Sequence, residues 1–241
     1  MVALPQVIFL AVYLVIMWVF IALMTIGYRK MPDEKKGYLR WILLSNVMLA
    51  LGDCLHLAGA FVGYNTGNDL AIIELFGFEV QLGIAGLIAT STTMSVYFLF
   101  LIFYNTRKYQ DGTFTHIDYA LIALFVIRIA LIFNPANIWF TSQLLPGEYN
   151  YTAWIRNAPL LIFGVASVIL VWRNARASQE KKIVWVAYAL MITWVAYAFT
   201  AFLPLDVMMK ATIYMIHTVA YLIAVYYIYR SEFQIASEVN G

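Results

Sequence analysis

Charged residues and cysteines are scarce in this sequence. Only 12% of the 241 residues are charged, whereas a soluble domain has about 25%. The single cysteine, Cys54, excludes a disulfide framework and a cysteine-based metal cluster. A formal net charge of +2 is too small to indicate a nucleic-acid partner. The composition therefore excludes an ordinary soluble domain, and no nucleic acid is expected among the partners.

Apolar residues take the place of the missing charge. They make up 63% of the chain, and the mean hydropathy of +0.80 predicts an integral membrane protein in contact with the lipid bilayer. A helix needs about 20 apolar residues to cross about 30 Å of hydrocarbon. Seven stretches have this length, which predicts an all-α, polytopic bundle of seven transmembrane helices. The predicted spans are 5–27, 40–63, 78–103, 118–140, 152–173, 183–203 and 208–229.

The basic residues predict the orientation of the bundle. Twelve of the fifteen lie after spans one, three and five or at the start of the tail. Cytoplasmic loops are rich in Lys and Arg, so we expect the N-terminus outside and the C-terminus inside, in a plasma or cytoplasmic membrane. The twelve are Arg29, Lys30, Lys35, Lys36, Arg40, Arg107, Lys108, Arg173, Arg176, Lys181, Lys182 and Arg230.

The connections between the spans are short. We therefore expect one transmembrane domain over 1–230 and a cytoplasmic tail over 231–241. The apolar window 70–78 contains Glu74, which favours an interfacial lead-in to the third span rather than an eighth crossing. No repeat of fixed period is visible, so the inverted-repeat pattern of transporters is not supported.

A few ionisable side chains lie inside the predicted spans, where insertion costs at least about 2.5–3.5 kcal/mol each. Four of them fall in one layer, roughly 16–24 Å above the inner boundary at about 1.5 Å per residue. The four are Asp53, His56, Arg128 and His217. Glu79, Arg156 and Lys210 form a second layer near the outer surface. Charge inside the bundle is thus concentrated in its outer half.

Helical spacing turns several of these residues inward. Asp53 and His56 are three residues apart and share one face of span two. Tyr214 and His217 have the same spacing in span seven. Span three carries small and polar residues at steps of four and three, which predicts close helix packing. That stripe is Glu79, Gly83, Gly86, Thr90 and Thr93.

Span six adds Trp194 and Tyr197 at a similar depth. We therefore expect an outward-facing pocket lined by spans two, three, six and seven and reached by Arg128 and Arg156. Arginines favour an anionic or zwitterionic ligand, whereas carboxylates among aromatic rings favour a cationic one. The predicted ligand-binding residues are Asp53, His56, Glu79, Arg128, Arg156, Trp194, Tyr197, Tyr214 and His217.

Structural roles are open for some of these residues. Asp53 and Arg128 are candidates for a buried ion pair, because two opposite charges in hydrocarbon stabilise each other. His217 stands among tyrosines and is also suited to a hydrogen-bonded position in the core.

A metal-dependent hydrolase is an alternative. His56, His217 and Asp53 form the minimum ligand set of a catalytic zinc site with an open fourth position. Seven-span lipid hydrolases of the ceramidase and progestin-receptor type carry two histidines four residues apart on the last span. Span seven of this chain has His217 alone, so that signature is absent.

The chain length and the topology resemble those of the microbial rhodopsins. Retinal attachment in that family requires a lysine near the middle of the last helix. Lys210, the candidate here, lies within about one turn of the outer end of span seven. The resemblance therefore covers architecture alone.

Taken together, these patterns favour a receptor or sensor that binds a small ligand or ion and signals to a cytoplasmic protein partner. A zinc-dependent membrane hydrolase and a small-molecule or ion transporter are the alternatives. No cofactor is expected outside the hydrolase interpretation, and enzymatic activity is left undecided by the sequence.

Overall fold

The chain folds into a bundle of helices with one short β-hairpin. The computed structural model describes residues 4–67, 72–133, 151–203 and 207–234. Seven α-helices lie within these ranges, one in each predicted span. They are α1 (Leu4–Arg29), α2 (Asp33–Thr66), α3 (Leu82–Tyr109), α4 (His116–Ile132), α5 (Tyr151–Ala177), α6 (Lys181–Phe202) and α7 (Val207–Ile228).

Six of these helices are long and apolar enough to cross a membrane, namely α1, α2, α3, α5, α6 and α7. The chain is therefore a multi-pass helical membrane protein. The remaining helix, α4, has 17 described residues, about 26 Å at the usual rise. Its predicted span continues through 134–140, which lie outside the described residues. The seven-crossing topology remains a prediction.

The hairpin corrects the predicted start of the third span. Strand β1 (Ile72–Leu75) pairs antiparallel with β2 (Phe78–Gln81). Phe76 and Gly77 have φ of 54° and 81°, as in the type I′ turns that match the twist of paired strands. Short apolar runs suit a strand as well as a helix, and this turn decides between the two. Helix α3 therefore begins at Leu82, not at 78.

The outer faces of the helices are apolar. On α1 the buried side chains alternate with exposed aliphatic ones at helical spacing. The buried set includes Leu10, Leu14, Met17, Ile21 and Met24. The exposed set includes Ile8, Val12, Val15, Val19 and Ile26. A helix with apolar residues on both faces is suited to packing inward on protein and outward on lipid.

Helices α2 and α3 form the most extensive pair in the bundle, followed by α6 and α7. Glycines permit the first contact. A Cβ added to Gly52 would collide with the Thr93 hydroxyl, and one added to Gly86 would lie 3.2 Å from Cα of His56. Small residues let helix backbones approach closely inside a membrane. The small-residue stripe predicted for span three is therefore confirmed at Gly86 and Thr93, although Glu79 lies on β2.

The chain does not leave the bundle at 231. Helix α7 continues into a π-helical turn over Tyr229–Phe233. Glu232 and Phe233 are buried there, and a Cβ on Gly27 would lie 2.8 Å from the Phe233 carbonyl oxygen. The start of the predicted tail is thus part of the packed structure, because this turn docks against the end of α1.

Candidate functional site

A cavity of about 210 Å³ lies among α1, α2, α3, α6 and α7. We call it the central cavity. Six of the nine residues predicted to bind ligand line it: Asp53, His56, Trp194, Tyr197, Tyr214 and His217. The other lining residues are Tyr13, Leu49, Thr90, Ser91, Met94, Tyr97, Phe98, Leu190, Thr193, Thr218 and Tyr221. Helix α1 was not expected to contribute, yet it supplies Tyr13.

Asp53 is held by a tyrosine from α1. The Tyr13 hydroxyl donates a hydrogen bond of 2.8 Å to Oδ2 of Asp53, and both residues are buried. The other carboxylate oxygen, Oδ1, has no partner among the described residues, and it is not fully enclosed by protein. Because Asp53 lines the central cavity, the cavity wall includes a carboxylate oxygen without a described hydrogen-bond partner.

His217 is oriented by the backbone of α6. Its Nδ1 lies 3.1 Å from the Thr193 carbonyl oxygen, and a carbonyl can only accept, so Nδ1 carries the proton. In the neutral ring, Nε2 then keeps a lone pair. The imidazole also stacks on Tyr214, with ring centroids 5.8 Å apart and an interplanar angle of 22°. His217 thus combines a core contact with an acceptor in the cavity wall.

His56 lies one turn beyond Asp53 on α2 and also lines the central cavity. Neither of its ring nitrogens has a hydrogen-bond partner within the described part of the chain, and neither is fully enclosed. Gly86 of α3 lies against the backbone of His56, where an added Cβ would be 3.2 Å from Cα of His56. His56 therefore offers a second polar group to the cavity without any competing protein contact.

Aromatic rings form much of the wall. The Tyr221 hydroxyl donates to Oδ1 of Asn46 at 2.8 Å, and the Tyr197 hydroxyl donates to Oδ1 of Asn157 at 3.2 Å. These bonds fix the phenols against neighbouring helices. Trp194 packs on Gly164, where a Cβ would lie 2.4 Å from the indole ring. Hydrogen bonds and packing against neighbouring helices therefore hold these aromatic rings in place.

Three of the predicted site residues are not among the described residues of the cavity wall. Arg128 is fully buried on α4, which packs mainly against α5 and α3, and it does not line the central cavity. The expected Asp53–Arg128 ion pair does not form, since Asp53 bonds to Tyr13 instead. Glu79 lies on β2 opposite Glu74. Arg156 lies on α5, and the side chains of Glu79 and Arg156 are outside the described part of the structure.

The metal-ligand hypothesis receives no geometric support. Among the described residues, no three His, Cys, Asp or Glu side chains are grouped so that they could hold one metal ion. His56, Asp53 and His217 are all described and all line the cavity, but they do not converge as such a set. Equal depth in the membrane does not require that side chains from different helices point at one position.

A second polar site, which the sequence did not predict, lies at the opposite end of the bundle. Lys108 Nζ is 2.5 Å from Oε2 of Glu180 and 2.5 Å from Oε1 of Glu232. The Tyr104 hydroxyl donates to the same Glu232 oxygen at 2.9 Å. Three rings lie within cation–π range of the ammonium: Tyr38, Tyr104 and Tyr109. We call Lys108, Glu180 and Glu232 the charged cluster.

The charged cluster joins the end of α3, the turn before α6 and the π turn after α7. The sequence did not indicate this contact, because Glu180 was expected in a loop and Glu232 in the tail. Along α7, His217 and Glu232 are separated by roughly 22 Å at about 1.5 Å per residue. The central cavity and the charged cluster therefore occupy opposite halves of the same helices.

Comparison of the chain with protein-family models, with curated proteins and with solved structures finds no match. The class that the structure itself defines is a multi-pass helical membrane protein with a cavity between its helices.

Proposed function

We propose that this protein is a seven-helix receptor or sensor that binds a small ligand in the central cavity. The observation that carries the proposal is that Asp53, two histidines and a set of aromatic rings line the wall of one cavity. Concave, mostly apolar sites with a few polar groups are typical of small-molecule binding.

The ligand is expected to be small. A volume of about 210 Å³ corresponds to about seven water molecules at about 30 Å³ each. This volume is smaller than that of pockets that hold drug-sized compounds, which is about 300–1,000 Å³. A compound of roughly ten non-hydrogen atoms is a reasonable upper size for the cavity as it stands.

The location of the basic residues supports an outward-facing cavity. The charged cluster and the predicted cytoplasmic lysines and arginines are at one end of the helices, and the central cavity is in the other half. With the positive-inside rule, the cavity faces outside and the charged cluster faces the cytoplasm. Seven crossings, with α4 completing the bundle, give the N-terminus outside and the C-terminus inside.

The packing below the cavity favours binding over transport. Asn46 and Asn105 are buried in the half of the bundle between the central cavity and the charged cluster, where they accept hydrogen bonds from Tyr221 and Asn174. Most of the other buried side chains described there are apolar, which disfavours a through-going polar path. These side chains include Leu39, Ile42, Leu101, Ala224, Val225 and Ile228. A receptor requires a change in helix packing that reaches a cytoplasmic partner. The charged cluster lies at the predicted cytoplasmic end of α7, where such a change would reach the partner.

Thermal unfolding of the purified full chain in detergent tests the proposal. The probes are a panel of small cationic, anionic and neutral compounds. At least one class should raise the Tm of the wild type. The gain should be lost in Ser91→Leu, which places a larger side chain in the cavity wall, and kept in Thr212→Leu, an exposed position on α7. Ligand binding in this cavity is contradicted if no compound raises the Tm of the wild type. It is also contradicted if the compounds raise the Tm of the two variants equally.

A further inference from the structure

We infer that the ligand of the central cavity is a small organic cation, a protonated amine, whose ammonium group binds Oδ1 of Asp53. This inference rests on the proposed function and gives the chemical class of the ligand. The sequence left both an anionic and a cationic ligand open, and this inference favours the cation.

The charge of the cavity points to a cationic partner. Among the described residues that line the central cavity there is no lysine or arginine, and Asp53 is the one carboxylate. Its hydrogen bond from Tyr13 is a contact with a neutral donor and supplies no positive charge. A buried carboxylate is costly unless it is paired. A ligand cation is the group that completes this pair.

Arg128 and Arg156, the residues that favoured an anionic ligand, lie on other helices. Arg128 is on α4 and Arg156 on α5, and α4 contributes no residue to the cavity wall. An anion in the central cavity would meet the Asp53 carboxylate with no described cationic side chain to offset the repulsion. The charge pattern therefore disfavours an anionic ligand.

Aromatic rings surround the carboxylate. Tyr214 and Tyr221 line the central cavity together with Asp53, and the Tyr221 hydroxyl is directed away to Asn46. The faces of Tyr, Trp and Phe attract cations, with a larger effect in a desolvated site. Trp194 and Tyr97 add further ring surface to the same cavity. A carboxylate among such rings is suited to an alkylammonium group.

The histidines favour an ammonium that carries N–H groups. Nε2 of His217 is an acceptor in the neutral ring, because Nδ1 donates to Thr193. His56 has ring nitrogens without a described partner. A primary or secondary amine can donate to such acceptors, which a quaternary ammonium cannot do.

A metal cation fits this site less well. Ca²⁺ requires about 6–8 oxygen ligands, whereas one carboxylate lines the cavity and no three potential metal ligands among the described His, Cys, Asp and Glu residues are grouped. The Thr193 and Thr218 hydroxyls, which also line it, donate to carbonyls of their own helices. The wall is mainly aromatic and aliphatic carbon, which matches an organic cation.

Three probes of nearly equal size separate the charge classes: 2-phenylethylammonium, 2-phenylethanol and phenylacetate. Their affinities are measured by isothermal titration calorimetry with the full chain in detergent. We expect 2-phenylethylammonium to bind at least tenfold more tightly than either of the other two. We expect Asp53→Asn to lower its affinity at least tenfold and to leave that of 2-phenylethanol within about twofold.

Asp33→Asn is the matched control, because it removes an exposed carboxylate from the same helix. It should leave all three affinities unchanged. If Asp53→Asn does not fold, the order of the three probes on the wild type still decides the charge class. Tighter or equal binding of the alcohol or the anion overturns the inference, as does a cation affinity that Asp53→Asn does not lower.

Failure of the proposed function has a different result. If no probe binds in a manner that Ser91→Leu abolishes, the central cavity is not a binding site for ligands of this size, and both proposals are wrong. If the alcohol or the anion binds and Ser91→Leu abolishes it, the cavity binds ligand and only the cationic assignment is wrong.

Discussion

The Tyr13 hydroxyl donates a 2.8 Å hydrogen bond to Oδ2 of Asp53, across the contact between the first and second helices. A hydrogen bond to a charged group contributes about 1.5–3 kcal/mol to stability. We therefore expect Tyr13→Phe to lower the free energy of unfolding by about this amount. Reversible unfolding in mixed micelles measures it. Tyr64→Phe, on the exposed face of α2, is the control and should change stability little; equal effects of the two variants would contradict the role assigned to Tyr13.

Close packing of α2 on α3 positions Asp53 in the cavity. We expect Gly52→Ala to destabilise the protein by about 1–3 kcal/mol, the usual range for overpacking, because its Cβ would meet the Thr93 side chain. Gly37→Ala is the control in the same helix, since a Cβ there has nothing within 4 Å. It should stabilise the helix by about 0.5–1 kcal/mol.

The same contact makes a rescue experiment possible. Thr93→Ala removes Oγ1 and Cγ2, two of the three Thr93 atoms that the new Cβ would meet, and leaves only Cβ at 3.0 Å. The double variant with Gly52→Ala should therefore recover much of the lost stability. Thermal unfolding of the single and double variants gives the coupling. Simple addition of the two effects would mean that the two helices do not touch at this point.

Lys108 pairs with two acidic side chains at the other end of the bundle. Replacing one partner of a buried ion pair costs about 3–5 kcal/mol, because a charge is left unpaired. Lys108→Met should be destabilising on that scale, and adding Glu180→Gln and Glu232→Gln should restore most of the loss. Lys36→Met removes an exposed pair with Asp33, and we expect a change of about 0–1 kcal/mol. Equilibrium unfolding compares them; a Lys108→Met effect no larger than that of Lys36→Met would contradict the buried pairing.

The orientation can be read from the two ends of α2. In a Cys54→Ala background, a membrane-impermeant maleimide should label Asn65→Cys in intact cells. It should label Lys36→Cys only after the cells are permeabilised. Both positions are at exposed ends of one helix, so each is the control for the other. The reverse pattern would place the central cavity on the cytoplasmic side.

Hydropathy located the helices well, because crossing hydrocarbon requires long apolar runs whatever the tertiary structure. Depth arithmetic was also informative: Asp53 and His217 were assigned equal heights, and both line the central cavity. Depth does not give direction around the bundle axis. Arg128 has a similar height, but its helix packs mainly against α5 and α3, and it never reaches Asp53.

Other parts of the site had no signal in the sequence. Tyr13 lies in the middle of an apolar helix, and no spacing distinguishes it from an aromatic side chain that faces lipid. Glu232 follows the last apolar run, and its burial depends on the shape of the backbone after α7. Contacts between residues far apart in sequence are decided by packing, which a local pattern does not encode.

The π turn over Tyr229–Phe233 has a geometric effect on the end of the chain. Its hydrogen bonds run from i to i+5, so it holds one residue more than an α-helical turn does. Successive residues of an α-helix are about 100° apart around the axis. Without the extra residue, Glu232 would be rotated by about that angle away from Lys108. The backbone of the π turn therefore sets the direction in which Glu232 faces Lys108. Deleting one residue within the turn, such as Ser231, would abolish this contact while leaving every side chain of the charged cluster present.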